Sequence, residues 1–186
     1  MIYTKVPKER IAVIIGKEGA VLKELKKRSG AEINIDSETG EVEVKAETAE
    51  DPVLGLKAAD VVKAIARGFS PERAYRLLRD NEYLTFLDIH DFAGKSQKRI
   101  RQVRARIIGR KGKTRSLIED LTGAEISVYG TTVGIIGDTI ENDIAVRAVT
   151  MLLEGSEHST VYRFLEHQRQ NLKVAHMGFE YYERKD

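Results

Sequence analysis

The chain contains no cysteine among its 186 residues. Disulfides, thiol catalysis and cysteine-based zinc sites are thereby excluded, and a cytoplasmic setting fits. No apolar run reaches the 18 residues or so that a membrane-spanning helix needs, and Met1-Ile2-Tyr3-Thr4-Lys5 does not read as a signal peptide. The four histidines (His90, His158, His167, His176) lack the close spacing of metal ligands, so no metal is expected. Gly94-Lys95-Ser96 matches the end of a nucleotide-binding loop, but Ile89 stands where that motif requires an earlier glycine. No local grouping of Ser, His and Asp suggests an activated nucleophile, and Asp88 and Asp91 read as turn or surface acids. Neither enzymatic activity nor a cofactor is expected.

A further absence is local. Residues 95 to 115 contain no Asp or Glu but ten cations: Lys95, Lys98, Arg99, Arg101, Arg104, Arg106, Arg110, Lys111, Lys113 and Arg115. Elsewhere 21 cations face 29 acids, so a net charge of +2 conceals a rest-of-chain balance of −8. Solvated helix faces mix their charges. Positive charge confined to one segment is the footprint of a polyanion site.

Within that segment lies Arg106-Ile107-Ile108-Gly109-Arg110-Lys111-Gly112-Lys113-Thr114-Arg115. Two glycines bracket two cations, an apolar pair precedes them, and a helical pattern follows. Backbone without Cβ atoms can lie against a nucleic-acid strand, and the amides of the loop and the next helix favour an anion. Gly134-Ile135-Ile136-Gly137 has the same glycine spacing, but its centre is apolar, it sits in a strand-like run, and no helix start is read after it. That stretch reads as structural.

Repetition separates the two. Val13-Ile14-Ile15-Gly16-Lys17-Glu18-Gly19 repeats the basic loop 93 positions upstream, and at that offset Gly30-Ala31-Glu32-Ile33 matches Gly123-Ala124-Glu125-Ile126. Ala74-Tyr75-Arg76-Leu77-Leu78 resembles Val161-Tyr162-Arg163-Phe164-Leu165 at an offset of 87. The chain is one unit written twice, with domains expected at residues 1–80 and 81–186. Arg79 to Asn81 is a short connector without flexible composition, which predicts that limited proteolysis will not readily release two halves.

The patterns within each half agree. In the first, a strand from Ile2 ends at Pro7, and a short helix from Glu9 to Ile15 is broken by Gly16. A helix from Ala20 to Arg28 stops at Gly30, and Glu32–Asp36 pairs with Glu41–Val44 as a hairpin. Asp51-Pro52 opens a long helix through Ala66, and Ser70-Pro71 starts a short one through Leu78. The second half repeats this as a strand at Tyr83–Ile89, helices at Lys98–Ile108 and to Leu121, and strands at Ile126–Val128 and Val133–Ile136. A long helix at Glu141–Leu153 and a closing one at Thr160–Leu172 follow. The tail from His176 to Asp186 carries Phe179, Tyr181 and Tyr182 among charges and could pack on a domain or bind a partner.

Strand, helix, Gly-x-x-Gly, helix, strand, strand, long helix is the order of a type I KH domain, here twice. The expected fold is α+β: two tandem three-stranded antiparallel sheets, each packed on one side by helices. The resemblance implies that each loop clamps about four nucleotides of single-stranded RNA. It implies RNA contacts at Gly16, Lys17 and Gly19, and at Gly109, Arg110, Lys111 and Gly112. Lys113, Arg115, Arg104 and Arg106 would add charge. Ile15, Ile33 and Ile35 would line the first groove, and Ile108, Ile126 and Val128 the second.

The tandem arrangement, the Lys113-Thr114-Arg115 extension, the Gly123-Ala124-Glu125-Ile126 turn and the Tyr162-bearing helix resemble the archaeal members of the partner-of-Nob (Dim/Pno-type) KH-domain family. These are small-subunit rRNA-processing and ribosome assembly factors. The resemblance implies binding near the 3′ end of small-subunit (16S) rRNA, in pre-ribosomal particles and beside the Nob endonuclease, without cutting RNA itself. Two positions depart from a uniform repeat: Glu18 puts an acid in the first loop, and Arg115 stands where the first half has Leu22. An alternative is a targeting or adaptor subunit of another RNA-processing or translation complex, with the first domain facing protein through Glu18 and the acid-rich Glu47–Asp51 stretch.

Overall fold

The structure, a computed structural model, describes the backbone of residues 1–183 and the side chains through Val174 and at Met177. Its contacts divide the chain into two compact units, Met1–Leu84 and Thr85–Asp186.

In the first unit β1 (Ile2–Lys5) leads into α1 (Lys8–Ile15), a single turn (Lys17–Gly19) and α2 (Ala20–Ser29). The hairpin β2 (Glu32–Ile35) and β3 (Glu41–Lys45) follows, then α3 (Pro52–Ala66) and α4 (Pro71–Ala74), which tightens into a turn at Tyr75–Leu78. The strand order is β1-β3-β2 with antiparallel pairing, and the register sets Tyr3 opposite Glu43 and Ile33 opposite Val44. Strand periodicity sends alternate side chains to opposite faces. Ile33, Val42 and Val44 are buried, while Glu32, Asn34 and Glu41 face solvent. On that wet face Glu43 accepts from Tyr3 and Asn34, each at 3.1 Å.

The division falls within β4 (Glu82–Asp88), and the second unit continues through α5 (His90–Ala93), α6 (Gln97–Ile108), α7 (Lys113–Thr122), β5 (Glu125–Tyr129), β6 (Thr132–Asp138), α8 (Thr139–Glu154) and α9 (His158–Glu183). Its sheet order, β4-β6-β5, matches the first. Ile100, Ile107, Ile118, Ile126, Ile135 and Val149 belong to its core.

The duplication extends to small devices. Ser29 and Thr122, both buried, donate to the carbonyls of Leu25 and Ile118 at 2.7 Å and accept from Ala31 N and Ala124 N. Each hydroxyl thus closes a helix end beside the repeated glycine. Asp51 and Asp138 each accept from the first amides of the long helix, and Asp138 completes a capping box with Glu141.

Three expectations need correction. A helix does begin soon after Gly137, at Thr139, because Asp138 is a strong cap. The Gly134–Gly137 stretch itself is still β6, and buried. The extra turn α5 has no counterpart between β1 and α1; Asp88 accepts from His90 N to start it, and Ile89 and Ala93 tie it to the core. The closing helix begins earlier, at His158, and continues through Glu183, so most of the expected tail is helical. The side chains of Phe179, Tyr181 and Tyr182 and the residues 184–186 lie outside the described ones.

Candidate nucleic-acid interface

The two Gly-x-x-Gly loops have one backbone. Gly16, Glu18 and Gly19 take φ values of 73°, 53° and 76°; Gly109, Lys111 and Gly112 take 74°, 55° and 77°. Glu18 and Lys111 are the two non-glycine residues with positive φ among the described residues. The two glycines serve different ends. A Cβ on Gly16 would stand 2.8 Å from the Val21 Cβ, and one on Gly109 would stand 2.7 Å from the Thr114 Cβ. The first glycine therefore lets the loop lie against the next helix. Around Gly112 nothing lies within 4 Å of such a Cβ, so the second glycine is needed for its left-handed φ alone.

A repeated tyrosine braces each loop from behind. Tyr75 donates to Val21 O at 3.0 Å, and the Tyr162 hydroxyl lies 3.1 Å from Thr114 Oγ1. Val21 and Thr114 are the residues against which the first glycines close, so the Tyr repeat seen in the sequence holds the first turn of the helix behind the loop. Burial raises the Tyr75 phenol above its ordinary value, an effect opposed by the Arg28 cation over its ring at 4.9 Å. Arg28 also hydrogen-bonds Glu24, which lowers that carboxyl below its usual range.

No side chain caps the N-terminus of α7 or α2, and neither helix has an acid in its first turn. Their first amides, at Lys113 and Ala20, donate back to Arg110 O and Lys17 O in the preceding turn, and each helix end keeps its partial positive charge toward the loop side. At α7 the exposed Arg110, Lys111 and Lys113 surround that end, and their side chains carry no ion pair or hydrogen bond. At α2 the loop instead presents exposed Lys17 and Glu18.

The other expected site residues divide. Ile15, Ile35, Ile108 and Val128 are half-buried and keep some surface. Ile33 and Ile126 are 1% and 0% exposed; they are core residues and present no surface to a ligand. Arg104 is exposed at the edge of α6 and donates to Gly130 O at 3.3 Å. Arg115 faces Glu119 at 3.8 Å, while Glu119 also accepts from Ile126 N.

Arg106 is a structural residue: its guanidinium bonds Ser156 O, and His158 Nε2 bonds Arg106 O at 3.0 Å. Arg10 does the same work in the first unit, donating to Ile65 O and Phe69 O. Phe69 and Ser156 are 87 positions apart, the offset of the tyrosines, but Arg10 and Arg106 sit on different turns of their helices. Sequence alignment of the repeats therefore hides the correspondence, whereas carbonyls exposed at the end of each long helix would reveal it.

Unit Met1–Leu84 holds 15 cations and 15 acids. Unit Thr85–Asp186 holds 16 and 14, with ten of its cations in residues 95–115. The acid excess of the chain therefore falls in the same unit as its basic segment. Among the described residues no group of three or more His, Cys, Asp or Glu could hold a metal ion, and no helix is long and apolar enough to cross a membrane.

Family comparison agrees with the doubled architecture. Residues 83–170 match the model of a eukaryotic type KH-domain (KH-domain type I), and residues 2–54 match that of a KH domain. A KH domain-containing protein of Methanocaldococcus jannaschii is 44% identical over 97% of this chain and 78% of its own length. A pre-rRNA-processing protein PNO1 of Debaryomyces hansenii is 30% identical over 70% of this chain, which spans only 51% of that longer relative. Among solved structures, Dim2p in the a/eIF2alpha-aDim2p-rRNA complex of Pyrococcus horikoshii is 50% identical with a TM-score of 0.85. That match covers 92% of this chain and 94% of that one. With two KH domains, paired glycine loops and relatives of this kind along nearly its full length, the chain belongs to the Dim2/PNO1-type family of KH-domain proteins.

Proposed function

We propose that this protein binds single-stranded RNA through the Gly109–Gly112 loop and acts in small-subunit ribosome assembly and pre-rRNA processing, near the 3′ end of 16S rRNA. The observation that carries the reading is the loop itself: a glycine-shaped backbone, a helix end without a side-chain cap or an acid, and three exposed cations without partners. Phosphates sit against Arg110, Lys111, Lys113 and the positive end of α7. Ile108 and Val128 offer the apolar surface on which bases rest, since KH modules read unpaired base edges. Arg104 contributes from the edge of α6. The pre-rRNA-processing relative and the rRNA complex of a neighbouring structure support the choice of RNA.

The first unit is the weaker RNA contact, through Gly16, Lys17, Gly19 and Ile15, and the side turned toward protein. Its equal numbers of cations and acids and the Glu18 carboxylate in its loop favour that division. The partner there is the Nob endonuclease in cytoplasmic pre-ribosomal particles, and this chain positions that enzyme's substrate without cutting RNA. Co-purification with the endonuclease, with and without rRNA, tests the pairing; no association in either case removes it.

A competition assay tests the RNA reading. A labelled single-stranded segment of the rRNA 3′ end is displaced by the same segment, free or fully paired to its complement. The unpaired form is expected to compete strongly. Equal competition by both would mean that only charge is sensed.

A further inference from the structure

We infer that the exposed face of α6 is a second RNA-contacting surface, which holds the sugar–phosphate backbone of nucleotides flanking those clamped by the loop. The inference rests on the proposed RNA-binding role of that loop and extends it from a four-nucleotide clamp to a longer track.

Lys98, Arg99 and Arg101 are exposed on α6, and their side chains make no hydrogen bond or ion pair. Lys98, Arg101 and Arg104 follow one another at three-residue spacing, so they form a row along one side of the helix. The row descends to Ile108, the last residue of α6, and so arrives at Gly109. At 1.5 Å per residue it extends the basic surface about 15 Å beyond the loop. The first turn of the helix carries no acid, and Asp88 and Asp91 mark where the positive run ends in the sequence.

Ordinary helix stability does not account for this choice of residues. Lys98 and Arg99 lie in the first turn of α6, where the helix dipole disfavours positive charge. Like charges three residues apart repel, and no acid on the helix offsets them. The corresponding helix of the first unit, α1, has only Lys8 and Glu9 as exposed charges, one of each sign. A fold that exposes one charge of each sign on the helix before one loop and only cations on the helix before the other has reserved the second for a polyanion. Continuity with the loop favours RNA over an acidic protein surface.

The test uses the full chain and fluorescently labelled single-stranded RNAs of four and twelve nucleotides from the 3′ end of 16S rRNA. The double variant Lys98→Gln, Arg101→Gln is compared with wild type, with melting curves to verify folding. The expected result is unchanged affinity for the tetramer and a loss of about 25-fold for the twelve-mer at about 0.1 M salt. The slope of log affinity against log salt for the twelve-mer should also fall by about 1.4, at roughly 0.7 per phosphate contact. Equal affinities of wild type and variant for the twelve-mer would overturn the inference while leaving the loop reading intact. So would a variant that loses only its binding to polyglutamate, which would assign the face to an acidic protein. Failure of wild type to bind either RNA would overturn the loop reading itself.

Discussion

Gly16–Gly19 and Gly109–Gly112 follow the same path to within a few degrees of φ, are closed by the same contact to the next helix and are braced by the same tyrosine. Their charges differ at the second central position, Glu18 against Lys111. One carries Lys17 and Glu18; the other carries Arg110 and Lys111 and is preceded by a helix without a single acid. Shape and charge are thus separate layers of the loop: glycine, tyrosine and the close approach to Val21 or Thr114 fix the path, and the two central residues are free to vary on it. Glu18 and Lys111 even share a left-handed conformation that side chains disfavour, so the path is imposed by the surroundings and not by the central residues.

The largest expected effect reverses the charge of the second loop. Arg110→Asp with Lys111→Asp removes two phosphate contacts at about 0.7 counterion each, roughly 1.4 decades at 0.1 M salt, before the new repulsion is added. Affinity for single-stranded RNA should fall at least about 25-fold, and its salt dependence should flatten. Lys17→Asp with Glu18→Asp removes one cation and should cost less. A larger loss from the first-loop variant, measured at two salt concentrations, would invert the ranking of the two units.

Next come substitutions that alter shape without touching charge. Gly109→Ala meets both an unfavourable φ and the Thr114 side chain, so thermal unfolding should register a destabilisation of about 2 kcal/mol. Gly112→Ala meets only the φ and should cost about 1 kcal/mol. If the two alanine variants melted alike, the close approach to Thr114 would not be what the first glycine serves. Tyr162→Phe removes the hydroxyl facing Thr114 and should cost about 1 kcal/mol, with Tyr75→Phe similar at Val21 O. A difference between them would show that the two braces are not equivalent. The smallest effect belongs to Glu18→Lys, which gives the first loop the charge of the second. A gain of about fivefold in RNA affinity is expected at 0.1 M salt, one added contact's share. No gain would mean that shape and charge are not separable there.

Much of this was written in the sequence because the repeats constrain each other. Gly30 and Gly123, Asp51 and Asp138, and the two tyrosines each mark one role performed twice. The misreadings fall where one side chain serves two masters or where the repeats diverge. Ile33 and Ile126 alternate as groove or core residues would, and only three-dimensional packing shows that they are fully enclosed. Arg106 sits in a basic run, so composition groups it with RNA-facing cations, although it ends on a carbonyl 50 residues away. Four residues of α5 are too few for any periodicity, and they have no partner in the first unit to announce them.

The acid-free stretch of α6 also bears on how fast a complex forms. At about 0.1 M salt the Debye length is about 10 Å, shorter than the roughly 18 Å that a helix of this length spans. An approaching RNA therefore responds to the charge directly beneath it, not to the overall +2. It is drawn to the helix and loop before any base finds its place, and encounters that begin elsewhere on the unit meet its acids and part. Association rates should consequently fall with added salt more steeply than the net charge of the molecule predicts.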